Sequence, residues 1–212
     1  MKKKIWQALI PHLILIPATI VTLYPVLWVI KMALSPSQSF DASANPFPTE
    51  VSFDNFATLL TERTKDGTLL FARQTLNSVI VAGATTIVGI MLSCTAAYAF
   101  SRFRFPGREK ALVAFLLTQI FPGVVMTVPL YIILDAVGLL DAHLGLVLVY
   151  STTAIPFCTY MLKGYFDTIP MELEEAALID GGSPGTIFWG IRLPLARAAV
   201  AVRARFSFLS AW

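Results

Sequence analysis

A chain of 212 residues that is 56% hydrophobic and only 14% charged, with a mean hydropathy of +0.71, falls outside the range of water-soluble globular domains. Its net charge of +3 is divided among the flanks of apolar stretches and not gathered in one basic stripe, which excludes a nucleic-acid-binding surface. A hydrocarbon core about 30 Å thick needs roughly 20 apolar residues per span, and each such run is expected to be helical, because lipid offers no partner to an unpaired amide.

The first run covers Leu9 to Ile30, behind Lys2, Lys3 and Lys4. Lysines before an apolar stretch also describe a cleaved secretory leader, with Ala42 and Ala44 imitating the cleavage site. The stretch is too long for that, and the small residues lie too far beyond it. A retained signal-anchor helix with a cytoplasmic N-terminus is expected over residues 1–33. Residues 34–75 then form an external loop, rich in proline (Pro36, Pro46, Pro48), with a mixed segment at Phe53 to Phe56 and a polar turn at Thr64-Lys65-Asp66-Gly67. Such a loop is either a docking surface for an extracytoplasmic partner or a connection.

The second run, Leu76 to Phe100, repeats small residues at four-residue steps (Thr85, Gly89, Ser93, Ala97), which puts them on one face and lets a neighbouring helix approach closely. The loop that follows carries Arg102, Arg104, Arg108 and Lys110, on the same side as the N-terminal lysines after two crossings, so both mark the cytoplasmic face. The third and fourth runs are Ala111 to Leu134 and Leu144 to Leu162, and a fifth begins near Leu195. Pro11, Pro17, Pro25, Pro122, Pro129 and Pro156 fall within the runs and permit bends. Cys94 and Cys158 lie inside spans and are expected to be free thiols, while His12 and His143 stand alone in the sequence. Thr118, Gln119, Tyr131, Tyr150, Thr152, Thr153 and Tyr160 could hydrogen-bond or stack on a solute, but such side chains also serve helix packing, so none is assigned and the substrate site is unknown. The chain has no H-E-x-x-H, G-x-S-x-G or P-loop pattern, so neither peptide hydrolysis by those devices nor ATP binding is expected of it, and no catalytic, cofactor or metal residue is assigned.

Between the fourth and fifth runs, the segment from Asp167 to Pro194 predicts two short helices joined by a tight turn. Asp167 or Thr168 caps the first, Pro170 suits its opening, and Glu172, Glu174 and Glu175 complement the positive end of its dipole. Gly181 and Gly182 supply the left-handed stop, Ser183-Pro184 starts the second helix, and Pro194 closes it. Taken alone, this is either a rigid lever between spans or an amphipathic connector on the membrane surface.

Glu175-Ala176-Ala177, then Gly181, then Ile191 with Leu193-Pro194, match at every fixed position the EAA-loop pattern of permeases of bacterial ATP-binding-cassette (ABC) importers. Leu76-Asn77-Ser78, the stretch from Ala97 to Gly107 and Lys163-Gly164-Tyr165-Phe166 resemble the carbohydrate-type permeases, similar to the smaller maltose/maltodextrin subunit. The resemblance covers nearly the whole chain. It implies an all-α integral membrane protein, a polytopic helical bundle of the type I ABC importer permease kind, with about five spans of an expected six, hence a chain incomplete at its C-terminus. Residues 76–212 would be the transmembrane domain and 164–195 its cytoplasmic coupling loop.

The implied function is half of the translocation pathway of an inner-membrane importer for a sugar or oligosaccharide, fed by an extracytoplasmic solute-binding protein. The implied partners are a second permease subunit and two copies of a cytoplasmic ATP-binding subunit, which would hold ATP and Mg and hydrolyse the nucleotide. Glu175, Ala176, Ala177 and Gly181 would dock in that subunit, with Ile191, Leu193 and Pro194 as anchors. A non-sugar solute remains an alternative. A self-sufficient secondary transporter needs coupling-ion ligands and repeat symmetry that the sequence does not display, and an intramembrane enzyme needs a convergent titratable set that it also lacks. Arg203 and Arg205 depart from the pattern: they either snorkel, face an aqueous path, or mark a segment not fully inserted.

Overall fold

The computed structural model describes residues 2–36, 45–48 and 50–212, with side chains from residue 11 onward. Ala42 and Ala44, the residues of the leader alternative, lie outside the described residues. Helix dominates, and the described residues form no strand beyond one isolated antiparallel bridge between Arg63 and Leu69. The chain divides into two compact units, Met1–Gln74 and Thr75–Trp212.

In the first unit, α1 (Lys2–Leu34) runs for 33 residues through three prolines, and Pro11–Leu34 is long and apolar enough to cross a membrane. Its final carbonyls need partners from outside the helix. Asn55 supplies them, donating through Nδ2 to the carbonyls of Ala33 (3.2 Å) and Ser35 (2.9 Å). That ties the helix end to α2 (Asp54–Thr61), which opens within the mixed segment of Phe53 to Phe56. The buried Lys31 turns its Nζ onto the Asn45 carbonyl at 2.9 Å. The expected polar turn is present: Thr64 N donates to the Thr68 carbonyl at 2.9 Å across Gly67.

The second unit begins within α3 (Leu70–Arg102). Thr85, Gly89, Ser93 and Ala97 all lie on its buried face, as their spacing predicts. They face α6 (His143–Thr168) and α10 (Arg197–Ala211): Ser93 Oγ donates to the Ile155 carbonyl at 3.2 Å. A side chain added at Gly89 would meet Ser207 Oγ at 3.7 Å and Ala154 Cβ at 3.9 Å.

One of the expected runs is not straight, and another opens on a bend. The third, Ala111 to Leu134, is split into α4 (Arg108–Thr118) and α5 (Gly123–Ala136), bent by 101°. Pro122 has no amide to donate and forces Phe121 out of helical geometry. Short-range bonds from Gln119 N to Leu116 O and from Ile120 N to Leu117 O tighten the end of α4 ahead of it. The fifth, expected from about Leu195, is α10 (Arg197–Ala211), and α8 (Pro184–Ile187), a π turn over Phe188–Arg192 and α9 (Leu193–Leu195) lead into it through a bend of 78°. Among the described residues, three helices are individually long and apolar enough to span a membrane, or up to five spans if each bent pair is one.

Candidate functional site

The motif segment sits where α6 ends. Asp167 or Thr168 was expected to cap the helix that follows, but α6 continues through both, and the Asp167 side chain is engaged elsewhere. Its carboxylate accepts from Lys163 Nζ and from Ser101 Oγ of α3, both at 2.7 Å, and Thr168 Oγ1 donates back to the Tyr165 carbonyl. An acceptor engaged by a cation one turn earlier and by a neighbouring helix has no reason to turn to a later amide. The first motif helix, α7 (Glu172–Ile179), therefore starts after Met171 without a side-chain cap.

The far end of α7 follows its sequence closely. Gly181 takes the left-handed conformation (φ +84°), donates to Leu178 O at 3.0 Å, and lets Gly182 N reach Ala177 O at 2.8 Å, the paired bonds of a Schellman stop. Gly182 itself has ordinary φ and is needed for space, since a Cβ there would lie 2.8 Å from the Ala177 carbonyl oxygen. Ser183 Oγ accepts from Thr186 N at 3.2 Å with Pro184 next in the chain, so α8 opens as predicted. Pro194 does not close that helix. It lies inside α9, where the wider π turn before it leaves room for a residue without an amide proton, and the chain bends at the buried Ala196 instead.

The candidate docking residues fall into two sets. Glu175, Ala176 and Gly181 are exposed along α7 and its turn, with Ala177 half-buried behind them. Ile191 and Leu193 are half-buried and Pro194 exposed beyond the π turn, where Leu193 packs on an apolar cluster of Cys94, Ala97, Leu162, Phe166, Ile169, Phe188 and Ala196. This cluster joins α3, α6 and the base of α10, so the second motif helix is rooted in the membrane bundle.

Beneath α7 lies an arrangement the sequence reading missed. Arg192 is fully buried, donates from Nη1 to the Phe166 carbonyl at 2.9 Å and pairs through Nη2 with Glu174. Arg102, at the end of α3, donates from Nε to the same Glu174 oxygen at 2.8 Å and from Nη2 to the carbonyls of Ile169 (2.7 Å) and Phe166 (3.3 Å). Tyr98 places its hydroxyl 3.5 Å from the other Glu174 oxygen, and the Arg192 guanidinium lies over the rings of Tyr98 and Phe166 at 5.7 and 5.6 Å. Two cations and one carboxylate leave one buried positive charge. The orphan carbonyls and negative dipole end of α6 answer it. Sequence reasoning had treated Arg102 as a topology marker and Glu174 as a dipole complement, and Arg192 occupies the unspecified position of the motif. The available signal was an arginine between Ile191 and Leu193, which burial makes costly unless it is paired.

The candidate solute-contacting groups do not converge. Thr118, Thr152 and Thr153 donate back to carbonyls of their own helices, and Gln119 links the break between α4 and α5 to the Thr153 carbonyl at 3.3 Å. Tyr131 and Tyr160 are exposed and Tyr150 half-buried. Arg203 neither reaches away from the helix nor stands free: its guanidinium rests over Phe157 of α6 at 5.4 Å and Phe206 at 5.8 Å, whereas Arg205 is exposed. Cys94 and Cys158 are buried free thiols. His143, isolated in sequence, meets Asn77 of α3 at 3.2 Å. Among the described residues no group of three or more His, Cys, Asp or Glu could hold a metal ion.

Comparison with known proteins agrees with this architecture. The family model described as binding-protein-dependent transport system inner membrane component matches residues 86–212. The trehalose transport system permease protein SugB of Mycobacterium tuberculosis is 35% identical over 190 residues, which is 90% of this chain and 67% of that one. The galactooligosaccharides transport system permease protein GanQ of Bacillus subtilis is 36% identical over 95% of this chain and 70% of its own. The maltodextrin transport system permease protein MalD of Streptococcus pneumoniae is 35% identical over 99% and 72%. The crystal structure of a bacterial ABC transporter involved in the import of the acidic polysaccharide alginate contains a chain that superposes with a TM-score of 0.75 at 21% identity, covering all of this chain and 72% of that one, which establishes the fold. The polytopic bundle and the family match together make this chain a member of the inner membrane components of binding-protein-dependent transport systems, the permease subunits of ABC importers.

Proposed function

We propose that the chain forms half of the pathway of an importer for a sugar or oligosaccharide, and that α7 carries the work of a separate ATP-hydrolysing subunit into the bundle. The carrying observation is the exposed edge Glu175-Ala176, on a helix stopped by Gly181 and seated from below on buried side chains. Small side chains on a fixed edge let a second protein approach closely, and a lever transmits motion only if its own seat does not yield. Ile191, Leu193 and Pro194 anchor the same element beyond the π turn.

On this reading ATP and Mg belong to two copies of the partner subunit, a second permease completes the pathway, and an extracytoplasmic binding protein delivers the solute. The N-terminus and α7 face the cytoplasm, as the basic residues of the α3–α4 loop indicate. The sugar assignment is supported by relatives that carry trehalose, galactooligosaccharides and maltodextrin in their names. The test is an Ala176→Cys variant in native membranes, treated with a short thiol crosslinker while uptake of labelled trehalose, galactobiose and maltotriose is followed. Crosslinking to an ATP-hydrolysing polypeptide and ATP-dependent uptake of at least one sugar are expected. Uptake persisting when no ATPase is captured defeats the coupling role, and uptake of none of the three defeats the sugar assignment.

A further inference from the structure

The geometry points to Glu174, Arg102 and Arg192 as positioning residues that make α7 move as one piece with the ends of α3 and α6 and the π turn that leads toward α10. This rests on the reading that the Glu175 edge seats in an ATP-hydrolysing subunit, and it adds the device by which a push on that edge reaches the spans.

Glu174 is the buried glutamate of α7, flanked by the exposed Glu172 and Glu175, so one turn of helix faces both ways. A single carboxylate receives Arg102 from α3 and Arg192 from the π turn, and both arginines also donate to carbonyls at the end of α6. Four chain segments thus meet through bonds that have direction as well as strength. The apolar cluster beside them joins α3, α6 and the π turn but includes no residue of α7, and apolar contact tolerates sliding and rotation, whereas forked guanidinium bonds to fixed carbonyls set an angle. Buried ion networks are often replaceable by apolar side chains without loss of stability. If folding were the only role, an apolar seat would serve as well. The positions of the three residues assign them a second role: Arg102 ends one span, Arg192 precedes another, and Glu174 lies back to back with the proposed docking edge.

The experiment compares the purified transporter, with its partner subunits, free of nucleotide and trapped with ATP, Mg and vanadate, by hydrogen–deuterium exchange. It needs no knowledge of the solute. In the native protein, trapping should change exchange in α7 and also at the ends of α3 (Ala97–Arg102) and α6 (Lys163–Ile169). In Glu174→Gln, α7 should still respond, while the change at the two span ends falls by about threefold or more. Glu174→Asp, which keeps the charge on a shorter arm, should recover part of that response. Should Glu174→Gln fail to assemble, the apolar triple variant Arg102→Met, Glu174→Leu, Arg192→Met takes its place, and is expected to assemble with the response confined to α7. A native response at the span ends in either variant overturns the proposal, while the Ala176→Cys crosslink, retained in that variant, would leave the docking reading standing. Absence of the crosslink when Ala176→Cys is the only change would remove both.

Discussion

Where α3, α6 and α10 cross, Gly89 lies against Ala154 and Ser207, Ser93 reaches the Ile155 carbonyl and Thr85 is buried on the same face, all of them small side chains that let the helices come close along smooth faces. At the end of α6 the same bundle is held by two guanidiniums, one carboxylate and two backbone carbonyls, with aromatic rings above them. The first contact stabilises through close packing and resists mainly separation. The second resists rotation as well, because each of its bonds weakens steeply off axis. An importer permease alternates between packings of one bundle, which requires surfaces that can shift and a lever that cannot, and the two regions supply one of each.

The largest expected effect comes from breaking the charged region on one side only. Glu174→Leu leaves Arg102 and Arg192 buried without their counter-charge, and removal of one partner from a buried ion network costs about 3–5 kcal/mol. Thermal unfolding of the detergent-solubilised protein should show a lowered midpoint and poor recovery of folded material. Arg102→Met and Arg192→Met added to Glu174→Leu should restore much of it. A Glu174→Leu variant as stable as the native chain would mean that the guanidiniums reach other acceptors, and the contrast between the two regions would dissolve.

The two regions also differed in how far the sequence disclosed them. Thr85, Gly89, Ser93 and Ala97 recur every four residues in one helix, so a period read along the chain is enough to place them on one face. Arg102, Glu174 and Arg192 are separated by 72 and 18 positions, and no local pattern joins them. Each also had a sufficient local explanation: membrane-side charge, helix dipole, and a variable motif position. The Gly181 stop and the Ser183 cap were legible because backbone chemistry at a helix end is local. The close expected at Pro194 falls instead at Ala196, because the chain first passes through a π turn and α9 that no local pattern discloses. The break between α4 and α5 could have been read from Pro122, but a proline within an apolar run is as often carried through a helix, as Pro11, Pro17, Pro25 and Pro156 are here.

The smooth region can be broken by bulk. Gly89→Val would drive branched carbons toward Ser207 and Ala154, which already lie at van der Waals distance from the position of a single methyl. Overpacking of this kind costs about 1–3 kcal/mol. Gly89→Ala should be close to neutral for the same geometric reason. Urea or thermal unfolding of both variants in detergent checks the order, and equal stability of the two would show that α3 and α10 are farther apart than a close seam requires.

The smallest effect is also the one that separates packing from hydrogen bonding within that seam. Thr85 and Thr86 are neighbours on α3 with opposite circumstances: Thr86 Oγ1 donates to the Ala82 carbonyl at 2.7 Å, whereas the buried Thr85 Oγ1 has no hydrogen-bond partner among the described residues. Valine copies the shape of threonine and removes only the hydroxyl. Thr86→Val should therefore lose about 0.5–1.5 kcal/mol, the usual net worth of one bond. Thr85→Val should change the unfolding midpoint by nothing or raise it, because a buried hydroxyl that bonds to nothing is better replaced by a methyl. The sign, more than the size, is the test. If Thr85→Val is the more damaging of the pair, its hydroxyl is engaged within the bundle, and the seam between α3, α6 and α10 would have to be read as a polar path and not as a smooth face.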